Sequence, residues 1–237
     1  MDVLKWIIYC QKLQITIVLP DNAVNYPDSS NIAAPNQINT IIFDLGKVVF
    51  DYDFERVFTQ WQQLTGIKIT YTPEFETILF KFEAGQLTPT QFKKQVALLM
   101  QLKRPIDATR FWQAWNDIYL NIYPDIDKLL TQLSKNFRMV ALTNTNAVHT
   151  PYWQQKYTQA LSVFEHIFCS FKLKAIKPEP VVFNTVLNYL QQPPDKVLFL
   201  DDNPKNTSGA TALGLHTYLV KNANLLTQVF TTAGYIK

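Results

Sequence analysis

The chain has 237 residues, of which 47% are hydrophobic, 14% aromatic and 17% charged, and its formal net charge is +3. This length predicts one large domain or two modest ones, with a core that needs no covalent cross-links. The aromatic content excludes a wholly disordered chain, and the 6 glycines exclude a collagen-like one. The small net charge, without a run of Lys and Arg, argues against a nucleic-acid partner.

The two cysteines, Cys10 and Cys169, stand alone in the sequence. Neither belongs to a CxxC pair, and no histidine stands at the spacing of a metal site. The sequence therefore predicts neither a disulfide framework nor a zinc site, and a reducing, cytoplasmic location fits best.

Residues 1–37 are interpreted as an N-terminal extension followed by a linker. The first twenty residues are apolar, but Lys5, Lys12 and several glutamines break them into short pieces. They are too interrupted for a membrane-spanning helix and lack a clear signal cleavage site. Asn, Pro, Ser and Ala dominate the segment that follows, as is typical of a linker.

Short apolar runs recur along the rest of the chain, each ending at polar residues. Residues 41–43, 139–142 and 197–200 are such runs, and residues 215–220 form a further apolar segment. Helical patterns lie between them, including one from Pro204 to Leu213 with Asn203 as its cap and Gly214 as its stop. Alternating strands and helices predict an α/β fold with a doubly wound parallel sheet.

Residues 54–123 show no clear strand and several helical patterns. Thr88 begins a capping box that predicts a helix through Met100. An aromatic stripe follows on what is interpreted as the next helix, and it favours a helix-bundle core over a ligand cage. Its members are Phe111, Trp112, Trp115, Ile118, Tyr119 and Ile122. We therefore expect a helical insertion at 54–123 within a core formed by 38–53 and 124–237.

Four polar clusters stand at or near the ends of the predicted strands. They are Asp44, Thr143-Asn144, Lys177 and Asp201-Asp202. Each alone has a simple structural explanation as a turn, a helix cap or a surface lysine. Ligands of open α/β sheets bind beyond the carboxyl ends of the strands, so the four clusters are expected to lie near one site. Taken together, their residue types suit phosphoryl transfer.

The chemistry of such a site explains these residue types. An aspartate can attack phosphorus and form an acyl phosphate, which divides hydrolysis into two easier steps. Crowded carboxylates need a counter-ion, and Mg²⁺ prefers oxygen ligands. The metal and a lysine ammonium would neutralise the phosphate, and the Thr143 hydroxyl could donate to the transferring oxygens.

The order of these motifs resembles that of the haloacid dehalogenase superfamily. IIFDLGKVVFDYD is similar to its first motif, VALTNTN to its second, Lys177-Pro178 to its third and FLDDNPKN to its fourth. The resemblance covers roughly residues 38–221 and is closest to the α-D-glucose-1-phosphate phosphatase subgroup. It implies a Rossmann-like core with a helical C1 cap inserted after the first strand, at residues 54–123.

The resemblance also implies roles for the motif residues. Asp44 would be the nucleophile and a metal ligand, with the backbone carbonyl of Gly46 as a second ligand. Asp202 would be a third ligand, and Asp201 would either assist it or pair with Lys177.

Phosphate binding would fall to Thr143, Asn144 and Lys177. His149 follows the second motif, where it would either contact the substrate or begin a helix. The chain departs from most phosphatases of the superfamily at Gly46, where they carry a second aspartate as general acid and base. Either Asp51 or Asp53 replaces that group, or a leaving group of low pKa needs less protonation.

The sequence thus predicts a Mg²⁺-dependent phosphomonoesterase that acts on a small phosphorylated metabolite, most simply a sugar phosphate, through an aspartyl-phosphate. A small phosphate ester is the expected partner, with neither nucleic acid nor membrane. Two alternatives stay open: a metal-independent 2-haloacid dehalogenase, which also lacks the second aspartate, and a non-catalytic protein that binds a phosphorylated ligand.

Overall fold

A computed structural model describes residues 32–104 and 106–237. Most of the predicted extension at residues 1–37, including Cys10, therefore lies outside the described residues. Within the described ranges, no helix is long and apolar enough to cross a membrane.

Seven strands and eleven α-helices form the described part of the chain. The strands are β1 (Thr40–Phe43), β2 (Phe50–Tyr52), β3 (Tyr119–Ile122), β4 (Arg138–Thr143), β5 (His166–Cys169), β6 (Val197–Asp201) and β7 (His216–Leu219). The first six helices are α1 (Phe54–Thr65), α2 (Pro73–Glu83), α3 (Pro89–Leu99), α4 (Ala108–Asn116), α5 (Ile126–Leu133) and α6 (His149–Lys156). The others are α7 (Thr158–Leu161), α8 (Ser170–Leu173), α9 (Pro180–Leu190), α10 (Pro204–Thr211) and α11 (Leu226–Thr232).

The central sheet has five strands in the order β5-β4-β1-β6-β7, and all its pairs are parallel. Successive residues of β1 point to opposite faces, so Ile41 and Phe43 join one hydrophobic cluster and Ile42 joins the other. Helices α5 and α11 cover the first face, and α9 and α10 cover the second. This confirms the predicted doubly wound α/β fold.

Helices α1–α4, at residues 54–116, form what we call the helical insertion. Its core is aromatic: Trp61 stacks on Phe111 at 4.5 Å and on Trp115 at 5.7 Å between ring centroids. Helix α3 begins with the predicted capping box, in which the Thr88 side chain and Gln91 satisfy each other's backbone N–H groups. The stripe residues Phe111 and Trp115 are therefore core packing, as the pattern indicated, whereas Ile118 and Tyr119 also line a cavity.

The prediction of no strand in residues 54–123 is wrong. Helix α4 ends at Asn116, and Tyr119–Ile122 forms β3, which pairs antiparallel with β2. Ile118 lies between the two elements, so the stripe interpreted as one helix spans a helix, a turn and a strand. Aromatic and β-branched residues suit both states, and periodicity over so few residues does not separate them.

Side chains of the core donate hydrogen bonds to backbone carbonyls of the helical insertion and β3. His149 Nε2 lies 2.9 Å from Trp115 O, and Ser170 Oγ lies 2.7 Å from Glu83 O. Three more such bonds run from Lys156 to Tyr119, from Tyr157 to Leu120 and from Lys174 to Gly85. These bonds fix the insertion over the carboxyl ends of the central strands.

Candidate active site

Three central strands deliver polar side chains to one edge of the sheet. Asp44 directly follows β1, while Thr143 ends β4 and Asp201 ends β6. The strands run parallel and adjacent with β1 in the middle, so their carboxyl ends meet. A cavity of about 250 Å³ lies between this edge and the helical insertion, and its lining includes Asp44, Thr143, Lys177 and Asp202.

Asp44 sits on the floor of this cavity with only 8% of its surface exposed. Its backbone N–H donates to Leu200 O at 2.8 Å, which extends the β1–β6 ladder by one residue. Its Oδ1 accepts from Leu45 N at 2.7 Å and lies 2.9 Å from Lys177 Nζ. Burial raises the pKa of Asp44 to about 7; Lys177 opposes this rise, and the charge of Asp201 adds to it.

Lys177 is a buried cation whose hydrogen-bond donors are all engaged. Its Nζ donates to Leu142 O at 2.8 Å and to Asp201 Oδ2 at 2.7 Å, besides the contact to Asp44. An ammonium carries three protons, so these three acceptors use them all. Burial alone would lower the pKa of Lys177, yet the charges of Asp201 and Asp44 raise it, so the side chain stays protonated.

The loop that carries Lys177 is fixed from two sides. Asn144 Oδ1 accepts from Lys177 N at 2.9 Å, and Asn144 Nδ2 donates to Lys177 O at 3.2 Å. On the other side, a Cβ at Gly209 of α10 would lie 2.8 Å from Pro178 Cβ, so glycine allows this close approach. Asn144 therefore positions Lys177 in this structure, and both Thr143 and Asn144 line the cavity.

The two carboxylates of the fourth motif occupy different environments. Asp201 is fully buried, and its oxygens accept from Asn203 N, Asn206 Nδ2 and Lys177 Nζ. Asp202 is half-buried and lines the cavity; burial, followed by the charge of Asp201, raises its pKa. Asp201 thus pairs with Lys177, the second of the two roles left open by the sequence.

These carboxylates can hold a divalent cation. Asp44, Asp201 and Asp202 each offer an oxygen, and these oxygens lie within 4.8 Å of one another. Lys177 pairs with two of them, so three carboxyl groups share one buried ammonium. A hard cation with oxygen ligands, such as Mg²⁺, fits this donor set, and Gly46 lines the same cavity.

Neither of the predicted replacements for the missing aspartate faces the cavity. The Asp51 carboxylate pairs with Lys47 at 2.5 Å and accepts from Tyr52 N. The Asp53 carboxylate accepts from Glu55 N and caps α1. Neither residue is among those that line the cavity, so the structure does not bring them together with Asp44.

The space beside Gly46 is filled by a ring. A Cβ built at Gly46 would lie only 2.7 Å from Tyr52 Cε1, so the ring occupies the place of a side chain. Tyr52 also lines the cavity, and burial, followed by the charges of Asp202 and Asp44, raises its pKa and keeps the hydroxyl neutral.

His149 begins α6 and is 2% exposed, and both of its ring nitrogens have protein partners. Trp115 O can only accept, so His149 Nε2 carries the proton, and Nδ1 accepts from Asn146 Nδ2 at 3.0 Å. Burial lowers the pKa of His149 to about 3, which keeps the ring neutral. His149 lies among the residues that line the cavity, but because both of its ring nitrogens are engaged by the protein, the structure favours the helix-start role.

Two groups of cavity residues were missed by the sequence analysis. One is the acidic side chain of Glu83, at the end of α2. The other is an aromatic wall of Phe50, Tyr52, Phe54, Tyr71 and Phe80, which Tyr119, a member of the stripe interpreted as packing, completes. No local pattern separates Glu83 from other helical glutamates, because its burial arises only when the insertion docks on the core.

The model of one protein family matches residues 38–214, most of the chain, and its description is haloacid dehalogenase-like hydrolase. This chain is a haloacid dehalogenase-like hydrolase. The match confirms the family predicted from the four motifs, and the sheet edge that carries Asp44 belongs to the matched region.

One curated relative of this hydrolase is the D-ribitol-5-phosphate phosphatase of Bacteroides thetaiotaomicron. It is 26% identical over 196 residues, which is 78% of this chain and 93% of the relative. The bifunctional epoxide hydrolase 2 of Mus musculus is 39% identical, but over only 25% of this chain and 11% of that protein. The narrower resemblance to α-D-glucose-1-phosphate phosphatases stays a prediction.

Solved structures of a haloacid dehalogenase family enzyme from the same bacterium resemble this hydrolase. A magnesium complex is 26% identical, with a TM-score of 0.72, and the match covers 82% of this chain and 98% of that one. An aspartate-to-alanine variant in complex with magnesium and inorganic phosphate has a TM-score of 0.66, with 77% and 93% covered and the same identity.

Proposed function

We propose that this hydrolase is a Mg²⁺-dependent phosphomonoesterase that acts on a small sugar or polyol phosphate through an aspartyl-phosphate at Asp44. The observation that carries the proposal is the position of Asp44, buried on the cavity floor beside Lys177 and Asp202. The phosphatase activity and the magnesium complexes named for the relatives support it.

In the first half-reaction, Asp44 bonds to phosphorus while the ester P–O bond breaks. Among the described contacts, the hydrogen bonds and the ion pair of this carboxylate all use Oδ1, so Oδ2 is the oxygen available for attack. The leaving oxygen departs on the side opposite Asp44. Water then hydrolyses the aspartyl-phosphate, which returns Asp44 and releases phosphate.

The surrounding residues act on charge and orientation. Lys177 holds Asp44 in place and offsets part of the negative charge that builds up when phosphate arrives. The Thr143 hydroxyl donates to a phosphoryl oxygen, and Asn144 keeps the Lys177 loop in position. Asp44 and Asp202, with the Gly46 carbonyl, would hold the magnesium, which supplies the positive charge that draws a phosphate toward an anionic nucleophile.

The cavity size favours a small substrate. About 250 Å³ admits a monosaccharide or polyol phosphate, and the aromatic wall provides flat apolar surfaces for the carbon skeleton. We also propose that residues 54–123 act as the cap of the site, because α2 and β3 contribute Glu83, Phe80 and Tyr119 to its lining.

Phosphate release is the decisive assay. The panel contains D-ribitol 5-phosphate, α-D-glucose 1-phosphate, D-glucose 6-phosphate and p-nitrophenyl phosphate, each with Mg²⁺ and with a chelator. Asp44→Asn is expected to lose at least ~10³-fold in turnover, because an amide is a poor nucleophile. Asp53→Asn is the matched control, since Asp53 caps α1 outside the cavity and asparagine is an equally good cap.

Four outcomes would contradict the proposal. If Asp44→Asn keeps a turnover near that of the wild type, Asp44 is not the nucleophile. Full turnover in the presence of the chelator would mean that the reaction does not require magnesium. Halide release from 2-chloropropionate, without phosphate release from any ester, would identify a dehalogenase, and no turnover at all would leave a phospho-ligand binder.

A further inference from the structure

Phosphate ester hydrolysis needs a proton donor for an alkoxide leaving group, and the first motif does not supply one. Glycine occupies position 46, and the Tyr52 ring fills the space beside it. Asp51 and Asp53 are engaged with Lys47 and with the start of α1. For a leaving group that needs protonation, a carboxylic acid must therefore come from another part of the cavity wall.

Glu83 and Asp44 reach the cavity from different parts of the fold. Asp44 rises from the sheet edge, whereas Glu83 comes from α2 of the helical insertion, and both line the same cavity. In an in-line displacement the leaving oxygen points away from the attacking atom. If a phosphoryl group binds over Asp44 at the sheet edge, a leaving group that departs toward the helical insertion meets the wall that includes Glu83.

The backbone around Glu83 is fixed by the core. Ser170 Oγ lies 2.7 Å from Glu83 O, and Lys174 Nζ donates to Gly85 O at 3.0 Å. Gly85 has a φ of +62°, and a Cβ there would clash with the Phe171 carbonyl oxygen, so this approach requires glycine. The end of α2 is therefore docked rigidly, as the orientation of a catalytic group requires.

The carboxyl group of Glu83 is suited to carry a proton. Burial raises its pKa to about 8; the charge of Asp44 adds to this rise, and Lys177 opposes it. Within the described ranges, no hydrogen bond or ion pair engages this carboxyl group. Glu76 and Tyr71 are the other titratable groups of the insertion in the cavity, and neither is among the causes of the shift.

We propose that Glu83 is the general acid and base of the reaction and takes the part of the aspartate that Gly46 replaces. As the Asp44–phosphorus bond forms and the ester P–O bond breaks, the Glu83 O–H proton passes to the leaving alkoxide. The products of this step are an alcohol, aspartyl-phosphate and the Glu83 carboxylate. In the second step the carboxylate takes a proton from the attacking water, which restores the acid.

This inference rests on the proposed function, and the two half-reactions test it separately. p-Nitrophenolate leaves without protonation, so Glu83→Gln should release the first equivalent of it in a burst within about threefold of the wild-type rate. Steady turnover should then fall, because water attack lacks its base. With ribitol 5-phosphate, a plain alkyl ester, the first turnover itself should fall by ~10²–10⁴-fold.

Glu74→Gln is the matched control, because Glu74 lies exposed on the same helix outside the cavity. It should leave the burst and both steady-state rates unchanged. Glu83→Asp should recover part of the lost alkyl-ester rate, since it keeps a carboxyl group at a shorter reach.

Two results would overturn the assignment of Glu83 while the proposed function stands. One is an equal loss in the first turnover of both esters, and the other is no loss with the alkyl ester. If the wild-type protein turns over neither ester and Asp44→Asn changes nothing, the proposed function itself fails, and the assignment fails with it.

Discussion

The buried imidazole of His149 should make the stability of the fold fall as pH decreases. In the folded protein the pKa of this ring is lowered to about 3, against an ordinary value of 6.5. The unfolded chain therefore binds a proton at His149 below pH 6.5, whereas the folded chain binds it only below about pH 3. Because the folded-state pKa is lowered, the contribution of the neutral His149 ring to stability is complete above pH 6.5 and is lost on acidification.

The size of this effect follows from linkage. Each pH unit between the two pKa values is worth about 1.4 kcal/mol, because the unfolded state alone gains the proton. From pH 7 to pH 5 the free energy of unfolding should therefore fall by about 2 kcal/mol through His149 alone. Asp44 and Glu83 have raised pKa values, and their contributions have the opposite sign.

Urea unfolding of the wild type and of His149→Gln, at pH 5 and pH 7, isolates this contribution. Loss of the contacts to Trp115 and Asn146 lowers the stability of the variant at both pH values, whereas only the pH dependence that His149 contributes disappears. The wild type should thus lose about 2 kcal/mol more than the variant between the two conditions. His166→Gln, at an exposed histidine, should retain the wild-type difference.

Equal pH dependence in the wild type and His149→Gln would refute this reasoning, since it would mean that the imidazole already binds its proton in the folded state. Disappearance of the wild-type pH difference in His166→Gln would refute it as well, because the effect would then not be specific to His149.

Three further predictions concern the docking of the insertion and the charges at the site. Gly85→Ala should lower the free energy of unfolding by at least ~2 kcal/mol in thermal or urea denaturation, because it adds a clash to a positive φ. Gly66→Ala, at φ +72° in open space, should lower it by only ~1 kcal/mol, and equal costs would contradict the close approach at Gly85. Lys177→Met should destabilise the fold by ~3–5 kcal/mol, because it leaves buried carboxylates unpaired. Adding Asp201→Asn should recover part of that stability but not the turnover, and a double variant no more stable than Lys177→Met would argue against the pairing. Asp51→Asn should change the turnover of alkyl and aryl esters by no more than about twofold, as for a surface substitution, and a selective loss on the alkyl ester would restore Asp51 as a replacement acid.

The parts of the site that the sequence predicted are those set by strand ends. Asp44, Thr143 and Asp201 each follow or end a short apolar run, and parallel strands bring their carboxyl ends to one edge whatever the loops do. The sheet and the polar cluster could therefore be predicted from local patterns alone.

The parts that sequence patterns missed depend on contacts between distant segments. Glu83 becomes a cavity residue only because Gly85 packs against the Phe171 carbonyl, and no pattern within α2 records that contact. Likewise, Tyr119–Ile122 becomes a strand because β2 offers it a partner. In both cases the tertiary environment, not the local propensity, decides the outcome.

The hydrogen bonds between the core and the insertion have a consequence for the divergence of related sequences. Every one of the acceptors is a main-chain oxygen, at Glu83, Gly85, Trp115, Tyr119 and Leu120. A carbonyl oxygen persists whichever side chain its residue carries, so most of these positions can be substituted without loss of the bond. Apart from Glu83 and Gly85, side chains of the wall that meets the substrate can therefore vary without loss of these bonds, while the donors on the core keep that wall in register with Asp44.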